Sequence, residues 1–320
     1  MTSSKWLAAI VAAAILASGI TACGSSDDET ASGSSGGDLS GSIRIDGSST
    51  VAPLTEAVAE QFMAENSDVR VTVGTSGTGG GFEKFCAGET DISDASREIE
   101  PEEVEACNKG GVGFKDVHIA TDALTVMINN ENPVSCLTVE QLAAIWGPDS
   151  KIDNWSEIPD LKESYDEELA LFGPGTDSGT FDYFTESING EEGVSRTDYN
   201  NVGEDDNATV KGVEGSPGGM GYAGFSFYTE NEGSLKALEV DNGKGCVPPS
   251  VETAQDGSYA PLSRPLFIYP SEQALQKPEV KAFIAYYLEN VGSVAEALGF
   301  VPLTEEQLTE SEAAAAKIGA

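Results

Sequence analysis

Three times in this chain an alternating or apolar stretch runs into a loop of serine, threonine and glycine and then into the first turn of a helix, and no other feature constrains the fold as tightly. In the first, Ser42 to Ile45 alternates as a strand does and Asp46 to Pro53 (DGSSTVAP) turns. Leu54, Val58 and Phe62 then recur at a spacing of four, with Glu56 and Glu60 off that face, which predicts an amphipathic helix. In the second, Val69, Val71 and Val73 alternate ahead of Thr75 to Phe82 (TSGTGGGF). The third, Phe172 to Phe184 (FGPGTDSGTFDYF), joins a strand end to a helix start through a glycine-rich turn.

A helix start presents backbone N–H groups with no partner inside the helix, and its dipole adds roughly half a positive charge, so small anions settle there. Ser178 and Thr180 add hydroxyls to one such cluster, and Gly179 lets the backbone come close. Any one of these loops is equally accounted for as an ordinary helix cap. Three together are better explained by one small oxyanion on which they converge.

Residues 1–22 carry one early lysine, Lys5, an apolar run from Trp6 to Leu16 and small residues before Cys23, which suits a secretory signal peptide better than a spanning helix. Ile20 to Cys23 resembles the bacterial lipobox, in which the cysteine becomes the lipidated mature N-terminus; an unmodified Cys23 after a plain signal peptide is the alternative. Gly24 to Asp38 has no apolar periodicity and is rich in glycine and serine, so residues 23–40 are expected to form a flexible tether. Its reach is roughly 20 Å on random-coil scaling. About 280 residues remain, enough for two domains with their own cores. Cys86, Cys107, Cys136 and Cys246 form an even set in an exported chain, which favours two disulfides. Of the three connectivities open to them, closure of a short local loop favours Cys86–Cys107, leaving Cys136–Cys246. Neither a CxxC nor a His/Cys cluster is present, so no metal is expected.

Acidic residues number 54 against 17 basic, a formal net charge of −37, which becomes −38 once Lys5 leaves with the signal peptide. That balance makes nucleic acid an improbable partner. It does not exclude a small anion, which responds to the dipoles that touch it far more than to distant screened charge. A calcium loop would need spaced oxygen ligands and a turn glycine, and neither Asp91 to Glu100 nor Glu204 to Asn207 has them. Nucleophilic catalysis has no support either: GxSxG is absent, and the only histidine, His118, sits in an apolar strand-like run and reads as structural. The glycine run at 77–81 is followed by Phe82-Glu83-Lys84 and not by a P-loop lysine, so ATP hydrolysis would fall to a partner. The chain is not expected to be an enzyme, and no cofactor is implied.

Asp91 to Ile99 (DISDASREI) supplies Ser96 and Arg97. A guanidinium fork suits a tetrahedral oxyanion, and pairing of Arg97 with Glu98 or Glu100 at the surface is the even alternative. Pro101, Glu102 and Glu103 read as a helix first turn.

GSSTVAP at 47–53, SGTGGGFEKFCAGETDISDASR at 76–97, DALTVMIN at 122–129 and GPGTDSGTFDYF at 173–184 together resemble the PstS family, the phosphate-binding subunits of phosphate import ABC transporters. The resemblance covers essentially the whole chain after the tether. It implies an α/β, two-lobed periplasmic-binding-protein fold of type II with two crossover strands, lobe I being 41–125 with 265–320 and lobe II 126–264. It implies phosphate contacts from Ser49, Thr50 and Val51 in the first loop, Thr78 or Ser76 in the second, Ser96 and Arg97 in the third-strand loop, and Ser178, Gly179 and Thr180. Two departures stand out. Where some relatives carry an arginine ahead of SGT this chain has Gly173-Pro174-Gly175, so Arg97 would have to supply the cation; and Ser96 stands at the place of a ligand-accepting aspartate.

That second departure bears on selectivity. Phosphate at neutral pH still carries a proton that a carboxylate can accept, whereas sulfate carries none. Asp94, Asp122 and Asp177 are the candidate acceptors, Asp177 also being a candidate cap for the helix that follows it.

The remaining stretches fit this frame. Asp122 to Asn129 is a β-rich run suited to crossing between lobes, and Ser263 to Tyr269 (SRPLFIY) is expected to cross back. Thr138 to Gln141 is a capping-box opening to a helix through Trp146. Trp146 and Trp155 read as core or lobe anchors, since phosphate offers no apolar face. Ser156 to Glu168 reads as charged surface, and Met220 to Tyr228 as a strand with buried aromatics. Lys277 to Glu289 is an amphipathic helix expected to pack on lobe I, and Ser311 to Ala320 an alanine-rich tail. The expectation is therefore a monomeric, extracytoplasmic phosphate receptor anchored to the membrane through lipid alone, delivering its ligand to permease subunits. A receptor for sulfate or molybdate, or an adhesin or sensor ectodomain, is the alternative.

Overall fold

The computed structural model describes residues 39–203 and 205–316. The expected signal peptide at 1–22, Cys23 and nearly all of the tether lie outside the described residues, as does the end of the tail.

The chain opens with β1 (Gly41–Gly47), α1 (Ala52–Glu65), β2 (Val69–Thr75), α2 (Gly77–Cys86), β3 (Ile92–Ala95) and α3 (Pro101–Gly110). The first two expected junctions are thus strand, loop and helix in fact. A long strand, β4 (Val117–Asn129), follows, then β5 (Cys136–Thr138), α4 (Val139–Trp146), β6 (Ala170–Gly173) and α5 (Gly179–Asn189), the third junction. Short elements come next: β7 (Asn200–Asn201), α6 (Asp206–Gly215), β8 (Gly219–Gly224), α7 (Phe225–Thr229), β9 (Leu235–Ala237), β10 (Glu239–Asp241), β11 (Cys246–Val247) and α8 (Val251–Gln255). The described chain ends with β12 (Ser263–Pro270), α9 (Pro278–Ala297) and α10 (Glu305–Ala316).

Among the described residues, nine strands form one mixed sheet in the order β2-β1-β3-β12-β4-β8-β6-β7, with β9 beside the end of β4. β1 runs parallel to both β2 and β3, and Gly47 stands opposite Thr75 on one side and Asp94 on the other. That register brings the carboxyl ends of three strands, and so the loops that leave them, to one edge, where open α/β sheets place their ligands. Two glycines allow the close fit. A Cβ on Gly47 would come within 2.0 Å of the Asp94 carbonyl oxygen, and one on Gly81 within 2.5 Å of the Gly47 Cα.

β4 and β12 make the two crossings. β4 pairs antiparallel with β12 up to Ala123 and with β8 from Leu124 onward, so one strand serves both halves of the sheet. β12 returns between β4 and β3. The buried apolar residues fall into two main clusters on either side. In one, the stripe Leu54, Val58 and Phe62 of α1 meets α9 through Phe283 and Tyr287, with the Phe62 and Phe283 rings edge to face at 5.3 Å. In the other, Phe184 and Tyr222 stack, Trp146 meets both edge to face and Trp155 is fully buried, so both tryptophans are core anchors. The capping box at Thr138 and Gln141 forms as its sequence implies, and Glu100 with Glu103 makes a second at α3.

Some expectations are corrected. Met220 to Tyr228 is not one strand, because β8 ends at Gly224 and Phe225–Thr229 turns helical, a break that short apolar runs conceal. The helix expected to stop at Glu289 runs on to Ala297, since Val291, Val294 and Ala295 continue its buried stripe. His118 donates from Nε2 to the Ala120 carbonyl at 2.9 Å and, with burial lowering its pKa, is a structural residue.

Both disulfides, Cys86–Cys107 and Cys136–Cys246, form with sequence separations of 21 and 110. Cross-linking a longer loop removes more entropy from the unfolded chain. Replacing Cys136 and Cys246 together with alanine should therefore lower stability by about 5 kcal/mol and the Cys86/Cys107 pair by about 3 kcal/mol, as urea unfolding would measure.

Candidate functional site

The loops gathered by the β1–β3 register face helix α5 across a cavity of about 360 Å³. One wall is built from Ser48, Ser49, Thr50, Ser76, Gly77, Thr78, Gly79, Ser96 and Arg97, the other from Asp182, Tyr183, Glu186 and Glu192, with Arg264 of β12 between them. The third loop closes on the first, for a Cβ at Gly179 would stand 3.5 Å from Thr50 Oγ1 and 4.0 Å from Ser49 Oγ. A second cavity of about 550 Å³ beneath α9 and α10 is lined chiefly by leucine, isoleucine and alanine and offers no converging donors.

The expected hydroxyls are present, and those of Thr50, Ser76, Thr78, Ser96 and Ser178 are already hydrogen-bonded. Ser48 Oγ accepts from the backbone N–H of Thr50 at 3.2 Å and of Val51 at 3.4 Å, so these two amides, expected to face a ligand, are held by the serine ahead of them. The Val51 side chain is fully buried in the core, leaving only its backbone to serve the site. Thr78 and Ser96 share a hydrogen bond at 3.1 Å, and the Ser96 N–H donates to Thr78 Oγ1 at 3.2 Å, locking the second loop to the one that leaves β3. Ser76 turns instead to Asp46, which also takes Lys84. Of the two register alternatives, Thr78 is the one tied into the inner wall. Ser178 caps α5, its Oγ accepting from the Thr180 N–H at 3.3 Å. The cap is therefore Ser178 and not Asp177, which is exposed.

The cation is where the geometry departs most from expectation. Arg97 lines the cavity, yet its fork is engaged by Glu103, with Nη1 and Nη2 donating at 2.8 and 2.9 Å, and Glu100 lies 3.5 Å from Nε. Arg264 sits between the two walls. Its Nη2 donates to Thr50 Oγ1 at 2.9 Å, its Nε to Asp122 Oδ2 at 3.3 Å, and its Cζ lies 3.6 Å from the centre of the Tyr183 ring. Glu186 stands 3.8 Å from Nη1. The residue lay unremarked in the stretch expected to cross back; an arginine inside a short apolar crossing was the available signal. Ser48 and the α5 carboxylates were likewise missed, because helix-start acids look like dipole compensation.

The three candidate acceptors part company. Asp122 stands opposite Arg264 in the strand register, and burial raises its pKa against the lowering effect of that arginine. Asp94 is fully buried on the α1 side of β3, with the Thr55 hydroxyl as its polar neighbour. Burial pushes it up to about 8, against the lowering effect of Thr55 and with the negative charges of Asp46 and Glu56 adding to the rise. It does not line the cavity, so at neutral pH it is a protonated acid beneath the site.

A family profile described as a PBP superfamily domain matches residues 30–291. Among similar proteins, a protein SphX of Synechococcus elongatus is 49% identical over 271 residues, 83% of this chain and 79% of that one. A phosphate-binding protein PstS of Staphylococcus saprophyticus is 40% identical over 276 residues, 85% of this chain and 83% of its own. Among solved structures, a possible phosphate-binding protein from Planctomyces limnophilus superposes with a TM-score of 0.84 at 42% identity, covering 88% of this chain and all of that one.

The Asp94 environment has a measurable consequence. Below about pH 4 the carboxyl is protonated in the folded and unfolded chain alike; between there and about 8 only the unfolded chain ionises, so stability falls as pH rises. Asp94→Asn should remove a contribution to that decline on the order of 5 kcal/mol, seen as a flatter pH profile in urea unfolding than the parent chain gives.

Proposed function

The chain belongs to the PBP superfamily and within it to the PstS family of phosphate-binding proteins, and from that premise we propose that it captures inorganic phosphate between its two halves and delivers it to an ABC permease. The observation that carries the reading is the convergence of the loops that leave β1, β2 and β3, the first turn of α5 and Arg264 on one cavity, Ser178, Gly179 and Thr180 standing just outside its lining with Gly179 packed against Thr50. Hydroxyls of Ser49 and Thr50, whichever of the Thr78 and Ser96 hydroxyls is not donating to the other, and the amides at the start of α5 donate to the oxyanion, with Arg264 as its counter-charge and Arg97 as a rim cation. Thr50 suits this role well, since its oxygen already accepts from Arg264 and its proton is left for a ligand.

The mechanism is closure. Lobe I, 41–125 with 265–320, contributes the first three loops, and lobe II, 126–264, contributes α5. Bonds from both sides to one ligand are made together only when the cleft is shut, so phosphate shifts an open-closed equilibrium by its differential affinity. The permease then reads the closed outline. The extracytoplasmic placement, a signal peptide at 1–22 and a lipid on Cys23 complete the reading, with the tether giving the receptor its reach.

Calorimetric titration of the full chain, freed of carried-over ligand, tests this directly: phosphate should bind tightly, and no binding would end the proposal. Arg264→Ala should weaken phosphate at least a hundredfold, about 3 kcal/mol. Arg97→Ala should cost less because its fork is on Glu103, and Thr50→Val and Ser178→Ala about 1 to 3 kcal/mol each. An Arg264→Ala chain with unchanged affinity would remove that arginine from the site.

A further inference from the structure

The cavity is lined by many donors and few acceptors, and every carboxylate acceptor lies on one wall. Asp182 is in the first turn of α5, Glu186 one turn further along the same face, and Glu192 beyond the helix end. None of the three aspartates considered from the sequence is available to a ligand. Asp94 is sealed beneath the site, Asp122 is bound to Arg264, and exposed Asp177 is outside the lining. Of the three that do line the cavity, Glu186 is exposed and drawn to Arg264, and Glu192 is exposed. Asp182 alone is half-buried, and among the described residues its carboxylate makes no hydrogen bond.

We infer that Asp182 is the specificity-determining residue of the site, its carboxylate accepting the proton of a protonated tetrahedral oxyanion and repelling one that has none. This rests on the phosphate reading above and supplies what Ser96 leaves missing. A carboxylate placed beside Arg264 costs little while the ligand brings an O–H, because that proton turns repulsion between two anions into a hydrogen bond. A fully ionised ligand such as sulfate offers no such proton and meets an unpaired negative charge in a half-desolvated wall. The groups facing Asp182 keep this balance close. Arg264 holds it toward ionisation, while burial first, then Asp177 and Glu186, push its pKa upward; the pKa of Glu192 is raised as well, by burial and by Asp182 and Glu186. Asp182 thereby titrates nearer to neutral pH than an open aspartate does, and once protonated it becomes a donor and sulfate is no longer refused.

The test is titration of the full chain and of Asp182→Asn with inorganic phosphate and with sulfate, between about pH 5 and 8. The parent should prefer phosphate strongly at the upper end, and its sulfate affinity should rise as pH falls; sulfate itself does not titrate in that range, so the change reports the protein. Asp182→Asn, whose amide donates to either ligand, should narrow the phosphate-to-sulfate ratio at least tenfold and flatten the sulfate profile. Asp94→Asn and Asp177→Asn should leave the ratio where it was. A parent that binds phosphate and sulfate alike, an unchanged ratio in Asp182→Asn, or a sulfate affinity indifferent to pH overturns the assignment while leaving the phosphate reading intact. A parent that binds neither overturns both. The pH profile of the parent needs no variant, so a failure of Asp182→Asn to fold does not protect the idea.

Discussion

A buried ion pair between the two crossing strands holds the site together. Asp122 on β4 and Arg264 on β12 face each other in the antiparallel register, at 3.3 Å and largely out of water. Such a pair is a weak source of stability, since desolvation of both charges offsets most of their attraction. Its value is positional. Asp122 fixes one edge of the guanidinium, the Tyr183 ring lies under its face, and Thr50 takes an outer nitrogen, so the cation cannot turn away from the cavity. An arginine on a crossing strand also touches both walls at once, which one on either loop would not do.

This placement resolves the apparent conflict between a chain of net charge −37 and an anion in its cleft. Surface carboxylates act through water and salt over a Debye length of about 8 to 10 Å. The groups that line the cavity act at contact distance and are chiefly donors. Where carboxylates do enter the lining, Asp182 and Glu186 on α5 and Glu192 just beyond it, Arg264 stands opposite them, and only Asp182 is half-buried.

The sheet explains why the donors arrive together. Parallel pairing of β1 with β2 and β3 aligns three carboxyl ends, and Gly47 and Gly81 let α2 and β3 pack closely enough for Thr78 to reach Ser96. The two apolar clusters share β4, its first half (Val117, Ile119, Ala120) lying in one and its second half (Leu124, Val126, Ile128) in the other, so the strand that carries Asp122 joins the two cores.

Much of this was legible in the residues. Period-two and period-four patterns at 42–45, 54–62 and 69–73 report which face is buried, a local property, and the elements form where those patterns lie. Helix starts at Ser178 and Thr138, the even cysteine set and the Ser/Thr/Gly loops are likewise local chemistry. Where local patterns are ambiguous the reading failed, as at Phe225, where a short apolar run is compatible with strand or helix. The sequence by itself determined the three strand–loop–helix junctions, the hydroxyls they carry and the two crossings. Which arginine is free for a ligand, which aspartate is buried, paired or exposed, and which amides are held by Ser48 were decided only by the tertiary structure. Each depends on partners up to 214 positions away, as Thr50 is from Arg264, and distance along the chain carries no trace of that contact until the sheet register and the packing of α5 create it.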